Sequence, residues 1–502
     1  QFVGNQTRAL TFPKQNFSRS QYGLSIVVPI VKNKLFFFLN AEKQKNSTPA
    51  SSFLARETGQ VAGNNISTVS TADLALVSSQ LASLGYETGI YQSYNFQTLG
   101  DRFITRLDWN ISDKNKFSVR YNYLNSSDDK PVSNSSSLGF GNRFNSSRAM
   151  SFRNSNYSQN EKIHSIVGEL NSTFGKFSNT LIAGYTYQNE DRGSAGNLFP
   201  LIEIQDAGSN YITAGTEPFT PNNKLSYKTY QASNNLTYYA NKHTLTGGIS
   251  VERLEFENVF FPGSQSEYVF NSVNDFNTAV NAYKANNGLT TSPVSLRRFQ
   301  LRFSALPGGV EPVQPTKVWY TGAYAQDEFQ ANENFKVTAG IRADIPVFDK
   351  TGYFNANVPA LTFKNGSGED VKVSTDKLPS SKLLLSPRVG FNYNVRGESD
   401  LQIRGGSGLF TGRPAFVWIS NQIGNNGVLS GFESIDNTTT RPFNPSPSKY
   451  IPSNPSAGLP TTYELNVTDP NFKFPQVWRS NLAFDKKLFG GLVGTAEFLY
   501  SK

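Results

Sequence analysis

The feature that most constrains this chain is a hairpin pattern that occurs seven times along its 502 residues. In each hairpin, two runs of about 10–16 alternating residues are joined by only two to four turn residues, and about 30–60 polar residues separate successive hairpins. The first hairpin runs from Tyr22 to Val31 and from Leu35 to Lys45, and the last runs from Trp478 to Phe489 and from Leu492 to Lys502. Long strands with tight turns at one end and long loops at the other are typical of a β-barrel that spans an outer membrane.

Alternation of apolar and polar residues within single runs supports this interpretation. Leu107 and Trp109, for example, alternate with Arg106 and Asp108. Successive side chains of a strand point to opposite faces, so one set meets lipid and the other meets the lumen. A soluble β-sandwich also alternates, but its strands are usually shorter and its long loops are not confined to one end. We therefore predict an all-β fold: a transmembrane antiparallel β-barrel with about fourteen strands in this sequence, short periplasmic turns and long extracellular loops.

The predicted extracellular loops are rich in Ser, Asn, Gly and Pro. They cover residues 47–100, 128–160, 193–224, 260–315, 349–383 and 413–474. Two of them carry apolar residues at helical spacing, which predicts short helices over residues 71–86 and 272–284. Ser70 or Thr71 is a suitable N-cap for the first of these helices. We interpret both helices as packing a loop against itself rather than as contacting a ligand.

Composition is compatible with a barrel and excludes several other classes of protein. The chain is 37% hydrophobic with a mean hydropathy of −0.42, and a barrel strand hides its lipid face from such averages by alternation. There is no cysteine, which excludes disulfides, thiolate metal sites and a cysteine nucleophile. The formal charge of +9 is interpreted as solvation of lumen and loops rather than attraction of anionic ligands or lipopolysaccharide phosphates. Because the basic residues form no stripe, a nucleic-acid partner is not expected.

The candidate functional residues are charged side chains on the predicted polar face of the strands. They are Arg102, Arg106, Asp108, Arg120, Arg342, Asp344, Arg388 and Arg404. One interpretation is a hydrated lumen in which the arginines form ion pairs with Asp108 and Asp344. The other is docking of a plug, because a plug inside the barrel would have to contact this wall. The sequence does not separate the two interpretations.

No catalytic, cofactor-binding or metal-binding set can be defended from residue spacing, and we predict that the protein is not an enzyme. The only histidines, His164 and His243, lie in different hairpins. No Ser-His-Asp arrangement or paired carboxylates can be assigned from the sequence. The dipeptide Asp128-Asp129 opens an outer loop, but a calcium site needs several converging oxygen ligands, so this signal is weak.

Several segments resemble one known family. They are Asn16-Phe-Ser-Arg-Ser-Gln-Tyr-Gly23 with Pro29-Ile-Val-Lys-Asn-Lys-Leu-Phe-Phe-Phe38, residues 108–116 (DWNISDKNK), 386–394 (SPRVGFNYN), 404–421 (RGGSGLFTGRPAFVWISN) and 476–482 (QVWRSNL). Together these segments resemble the TonB-dependent receptors of the outer membrane, specifically their Oar-like (OmpA-related) branch from Bacteroidetes-type bacteria. One departure is Val27-Val28, where that branch usually has a pair of glycines.

The resemblance implies more than the residues themselves establish. It implies an N-terminal plug and a barrel of about 22 strands, of which residues 1–502 would supply roughly strands 2 to 15. Both ends of the chain are therefore expected to be cut, with the plug, the first strand and the last strands absent. An open sheet edge in lipid is costly, so other strands are expected to complete the barrel. The resemblance also implies passage of a large or scarce substrate across the Gram-negative outer membrane, energised by an inner-membrane motor that pulls on the plug.

The partners implied are the TonB complex, reached through the plug, outer-membrane lipids or lipopolysaccharide, and a lipoprotein or secretion-complex component. The substrate and the direction of transport stay open. An alternative function is an outer-membrane anchor whose large loops serve adhesion or complex assembly. A passive channel of fourteen strands is a third hypothesis, which the apparently cut ends disfavour.

Overall fold

A fourteen-stranded antiparallel sheet dominates the computed structural model, which describes residues 6–7, 10–11, 16–395, 401–469 and 471–502. Each strand of this sheet pairs with the next one along the chain. In chain order the strands are β1 (Ser18–Val31), β2 (Leu35–Pro49), β3 (Asn95–Ser112), β4 (Asn115–Lys130), β5 (Tyr157–Phe174), β6 (Phe177–Ser194), β7 (Asn223–Ala240), β8 (His243–Phe260), β9 (Gln314–Asn332), β10 (Phe335–Phe348), β11 (Leu384–Asn394), β12 (Leu401–Thr411), β13 (Gln476–Lys487) and β14 (Val493–Ser501). The predicted number of strands and their antiparallel order are confirmed.

Tight turns join the strands in pairs, as the sequence predicted. Asn33, Gly175 and Asn241 adopt φ values of 60°, 59° and 50° in three of these turns, a conformation that Gly and Asn tolerate best. The alternation of the third hairpin predicts a four-residue turn over residues 175–178, which is wrong: Phe177 already pairs with Phe174, and this leaves a two-residue turn. In the last hairpin the first strand ends before Phe489, which lies in the 3₁₀ turn Phe489–Gly491. The sequence also predicts a turn at Gly397-Glu398-Ser399, and these residues lie outside the described part of the chain.

The register of the sheet gives it one apolar face and one polar face. Leu107 of β3 lies opposite Phe37 of β2 and Val119 of β4, so these three side chains share a face. Their neighbours Arg106 and Arg120 lie opposite each other on the other face. We call these two surfaces the apolar face and the polar face. Because each strand pairs in register with the next, the same apolar and polar faces continue across all fourteen strands.

Aromatic side chains border the apolar face at two levels. Near the long loops, tyrosines of β4, β6 and β7 lie on this face in neighbouring register positions. They are Tyr121, Tyr123, Tyr185, Tyr187 and Tyr230. Near the tight turns, Phe177 stacks on Tyr238 with ring centroids 4.8 Å apart. Such belts are typical of membrane–water interfaces, because these rings combine apolar and polar parts. Among the described helices, none has the length and apolar character that a membrane crossing requires.

The long loops form a second sheet, which the sequence did not predict. This six-stranded sheet has the order Ser430–Thr438, Leu296–Ser304, Glu267–Phe270, Leu201–Asp206, Ser209–Ala214 and Met150–Ser151. Further short strands are Gln6–Thr7 with Leu10–Thr11, Leu54–Arg56 with Ile66–Ser70, and Phe363–Lys364 with Asp370–Val371. Strands from different loops thus satisfy one another's backbone hydrogen bonds.

Two helices, α1 (Thr71–Ala82) and α2 (Val273–Ala285), accompany this second sheet. Each begins where a serine caps it, because the hydroxyls of Ser70 and Ser272 accept hydrogen bonds from the backbone N–H groups of Asp73 and Asp275, respectively. Both predicted helices are confirmed, but they pack between loops rather than within one. The Gln80 side chain of α1 donates to Asn277 of α2, 197 positions away. We call the six-stranded sheet with α1 and α2 the cap.

The cap has a hydrophobic core of its own. Its buried members include Leu74, Val77 and Leu81 of α1, Phe276 and Val280 of α2, and residues of the cap sheet such as Ile202, Ile212, Tyr268, Phe270 and Phe299. These side chains come from loops that are far apart in sequence. Burial of apolar surface on this scale makes the cap a folded unit rather than a set of independent loops.

Candidate functional site

All eight candidate residues predicted from the sequence lie on the polar face. Starting at Arg120, the register passes through Val167, Gly184, Gln231 and Glu252 to reach Tyr320 of β9 on the same face. Arg342 and Asp344 lie on this face opposite Tyr324 and Gly322, and Arg388 lies opposite Gly340. Arg404 continues the face opposite Asn392. The structure thus gathers the eight side chains on one surface, but it spreads them over five strands.

Two of the candidate pairs form the same local structure. Arg106 donates from Nε to both carboxylate oxygens of Asp108, at 2.9 and 3.0 Å. Arg342 donates from Nε to both oxygens of Asp344, at 2.9 and 2.9 Å. In each case the partners are two residues apart, so a strand puts both side chains on one face. Both ion pairs that the sequence suggested, to Asp108 and to Asp344, are present.

The surroundings of the two Arg-x-Asp pairs differ. The side chains of Arg106 and Asp108 are 46% and 40% exposed, whereas those of Arg342 and Asp344 are 28% and 2% exposed. Arg342 also donates to the hydroxyl of Ser250 on β8 at 3.0 Å. The Arg342–Asp344 pair is therefore largely buried at the surface of the sheet, whereas the Arg106–Asp108 pair is exposed.

The remaining arginines have varied partners. Arg404 donates to Asp485 of β13 at 2.8 Å, and Arg102 donates to the Gln44 amide oxygen at 3.2 Å. The Arg388 guanidinium lies over the Phe410 ring, 4.6 Å from its centroid. Within the part of the chain that the structure describes, Arg102, Arg120 and Arg388 form no salt bridge. Like charges directly opposite each other are destabilising, so Arg120, facing Arg106, favours an anionic neighbour.

A segment that the sequence did not identify folds onto the outer part of the polar face. Arg413 forms a salt bridge with Glu252 at 2.6 Å and lies over the Tyr320 ring. Helix α3 (Val417–Gly424) follows and packs against β9 and β8. The Trp418 side chain of this helix is 64% exposed. The run Phe416 to Ile423 is rich in apolar residues, but it is too short to show a helical period distinct from that of a strand.

Neither histidine contributes to the polar face. His164 pairs through Nδ1 with the Tyr121 hydroxyl at 2.7 Å, and both side chains lie on the apolar face. His243 pairs with Asp327 at 2.7 Å beside a tight turn. Among the described residues there is no group of three or more His, Cys, Asp or Glu side chains arranged to hold a metal ion. Asp129, part of the weak calcium signal, instead accepts a hydrogen bond from the Gln97 backbone N–H at 2.9 Å.

A further group of buried charges lies in the cap. Glu203 and Glu267 belong to adjacent strands of the cap sheet, and both lie beside Arg143 with no exposure to solvent. Burial and the neighbouring Glu203 carboxylate raise the pKa of Glu267 to about 8. Burial also raises the pKa of Glu203, although Arg143 opposes this effect. Arg143 looks like an ordinary loop residue in the sequence, because its partners lie about 60 and 120 positions away.

The fold is similar to those of known outer-membrane transporters and receptors. The outer membrane transporter YddB from Escherichia coli aligns with a TM-score of 0.55 at 11% identity, over 97% of this chain and 46% of YddB. A variant of the ferric enterobactin receptor PfeA from Pseudomonas aeruginosa aligns with a TM-score of 0.48 at 9% identity, over 97% and 50% of the two chains. The ferric-catecholate import receptor Fiu from Escherichia coli aligns with a TM-score of 0.47 at 12% identity, over 98% and 59%.

At 11% identity the similarity to YddB shows the fold alone. The chain spans about half the length of the solved structures that it matches. No curated protein matches the chain. Residues 2–501, however, match the family model described as an outer membrane beta barrel domain. The chain therefore belongs to this family of β-barrel proteins in the outer membrane of Gram-negative bacteria.

Proposed function

We propose that this chain forms most of the barrel wall of a TonB-dependent transporter of the Oar-like, Bacteroidetes-type branch. Residues 1–502 would be a partial barrel domain that supplies roughly strands 2 to 15 of about 22. A plug elsewhere in the complete protein would couple the barrel to the TonB complex. The transported substrate would be large or scarce, since such substrates require energy to cross the outer membrane.

The observation that carries this proposal is the position of the charged candidates relative to the apolar face. Eight charged side chains share the face opposite the lipid-compatible surface, and residues from an outer loop fold onto the same face through Arg413 and α3. A polar interior partly filled by loops or by a plug is typical of large outer-membrane barrels. The polar face is thus suited to line a lumen.

The charge balance of the polar face favours a plug as its partner. Asp108, Asp344 and Asp485 pair with Arg106, Arg342 and Arg404. In the described residues, Arg120 and Arg388 form no salt bridge, and Arg102 forms none although Glu42 lies opposite it. Carboxylates and backbone carbonyls of a plug would satisfy these guanidinium groups, which present five donors each.

A second candidate function is an outer-membrane anchor for adhesion or complex assembly. The folded cap supports it, because a loop domain with a hydrophobic core presents a fixed surface to a partner such as a lipoprotein or a secretion-complex component. The two functions differ in what the polar face contacts. A transporter needs that face against a plug, whereas an anchor needs only the cap.

Photocrosslinking in the complete protein, in its own outer membrane, tests the proposal. A photoreactive amino acid replaces Arg106 on the polar face or, as a matched control, Leu107 on the apolar face. We expect position 106 to crosslink to a separate segment of the same polypeptide, with a yield that changes when the proton gradient is collapsed, and position 107 to label lipid. If position 106 yields no protein adduct, the plugged transporter is wrong and the anchor is favoured.

A further inference from the structure

The apolar face contains a groove that the proposed transport function does not use. It has a volume of about 680 Å³ and an almost entirely apolar lining. Its floor is one register row of small residues on three adjacent strands, in which Gly168 lies opposite Ala183 and Ala183 lies opposite Ala232. The groove exists because larger residues, Val119 and Val251, end this row on both sides.

Aromatic rings form the upper wall of the groove, towards the cap. Tyr185 and Tyr230 lie opposite each other one register row further out, with ring centroids 5.0 Å apart. Trp319 continues the wall on β9. Since tyrosine and tryptophan favour the membrane–water interface, the groove lies in the outer half of the apolar band. It is therefore open to the hydrocarbon region of the outer leaflet.

Lysines on the apolar face lie immediately above this aromatic wall. Lys228 is two residues outward of Tyr230, Lys317 is two residues outward of Trp319, and Lys162 lies four residues outward of Ile166 on β5. Alternation along each strand keeps these ammonium groups on the groove side. In the described part of the chain, neither Lys162 nor Lys228 forms a salt bridge, and both are exposed.

Three carboxylates also border the groove, and Arg253 pairs with two of them. Arg253 forms salt bridges with Glu255 at 3.1 Å and with Asp349 at 2.6 Å, and its guanidinium lies over the Trp319 ring. The third, Glu257, is one register row further out. A further carboxylate, Asp191, lies one register row outward of Lys162 and faces Lys224. Lys162 and Lys228 are the exposed cations without a salt bridge that lie nearest the mouth of the groove in the described part of the chain.

We propose that this groove is a binding site for a phosphorylated glycolipid of the outer leaflet. One acyl chain would lie on the floor formed by Gly168, Ala183 and Ala232, and a phosphate group would lie against Lys162 and Lys228. The volume is within the range of about 300–1,000 Å³ that is usual for small-molecule sites. An apolar groove directly below accessible ammonium groups matches a lipid that is apolar along its chains and anionic at its head group. This site is independent of the proposed transport function.

Native mass spectrometry of the complete protein, reconstituted in phosphatidylcholine with diphosphoryl lipid A as the probe, tests this site. Ala183→Leu with Ala232→Leu fills the groove, and we expect it to retain at least about tenfold less lipid A than the unmodified protein. Ala339→Leu is the matched control, because Ala339 is an exposed alanine on the same face outside the groove. Its retention of lipid A should not change. Resistance of each barrel to unfolding in dodecyl sulfate without heating checks that the variants fold.

A second pair of variants tests the head group. Lys162→Gln with Lys228→Gln should remove the preference for lipid A over phosphatidylcholine. The control is Lys43→Gln, because Lys43 pairs with Asp101 away from the groove, and it should preserve the preference. Three results would overturn the proposal. They are unchanged lipid A retention in the filled-groove variant, equal loss of phosphatidylcholine and lipid A, and a shift from dimer to monomer on filling the groove, which would assign the groove to a second copy of the chain.

Discussion

Arg143 Nε lies 2.6 Å from Glu203 Oε1 inside the cap, and both side chains are completely buried. The same guanidinium donates to the backbone carbonyls of Ser133 and Ser135 at 2.7 and 2.8 Å. Arg143 therefore fastens the loop over residues 133–143 to the cap sheet, to which Glu203 belongs. A charge in this environment is stable only while its partners are in place.

Replacement of Arg143 should destabilise the cap strongly. Arg143→Met keeps the length of the side chain but leaves two buried carboxylates and the carbonyl groups of Ser133, Ser135 and Leu138 without their donor, which costs about 3–5 kcal/mol. Hydrogen exchange of the cap strands measures this loss. Arg148→Met, at an exposed arginine of the same loop, is the control and should change stability by less than about 0.5 kcal/mol. Equal protection in the two variants would show that Arg143 does not hold the loop.

Stability of the cap should fall as the pH rises. The pKa of Glu267 is about 8 in the folded protein against an ordinary value of 4.5, because burial and the nearby Glu203 oppose its ionisation, while Arg143 and Arg298 favour it. The folded state thus binds the proton more tightly than the unfolded state. The stabilisation is complete below about pH 4.5 and is lost progressively as the pH rises through about 8.

A glutamine at position 267 removes this titration. Glu267→Gln should therefore flatten the dependence of the cap's melting temperature on pH between 5 and 9, apart from a smaller contribution of Glu203. Glu57→Gln, at an exposed loop residue, should leave the original slope. The prediction is wrong if the melting temperature of Glu267→Gln depends on pH as steeply as that of the unmodified protein.

The assignment of the two faces predicts opposite tolerance to charge. Ile249 is 61% exposed on the apolar face near the middle of β8, so Ile249→Arg should cost about 2–4 kcal/mol in a bilayer. Ser233, on the polar face of the adjacent strand, is the matched position, and Ser233→Arg should be tolerated within about 1 kcal/mol. Denaturant unfolding in phospholipid vesicles, followed by tryptophan fluorescence, measures both values. A larger loss for Ser233→Arg would mean that the faces are reversed.

The strands and their faces could be predicted because each hairpin carries its own information. The period-two alternation that separates Leu107 from Arg106 is local, and so is the turn that sets the register of each pair. Helices α1 and α2 were also predictable, since Ser70 and Ser272 precede apolar residues at helical spacing.

The cap could not be predicted in the same way, because its contacts join distant loops. Leu201 pairs with Glu267 in a parallel ladder, and Leu296 pairs with Thr438 across 142 positions. Strands this short show no period of their own, and their pairing depends on partners that a local pattern does not reveal. Arg143 is buried by this assembly, so the residues next to it in the sequence do not indicate that it is buried.

The two Arg-x-Asp pairs on the polar face provide a comparison of one motif in two environments. Asp344 is 2% exposed and holds Arg342 inside the wall, so Asp344→Ala removes an interaction that water cannot replace and should cost about 1–3 kcal/mol. Asp108 is 40% exposed, and Asp108→Ala should cost less than about 1 kcal/mol because solvent already screens its pair with Arg106. Parallel denaturant unfolding of the two variants measures the difference. Equal losses would indicate that a further group, such as a docked plug, excludes water from the Arg106–Asp108 pair in the complete protein.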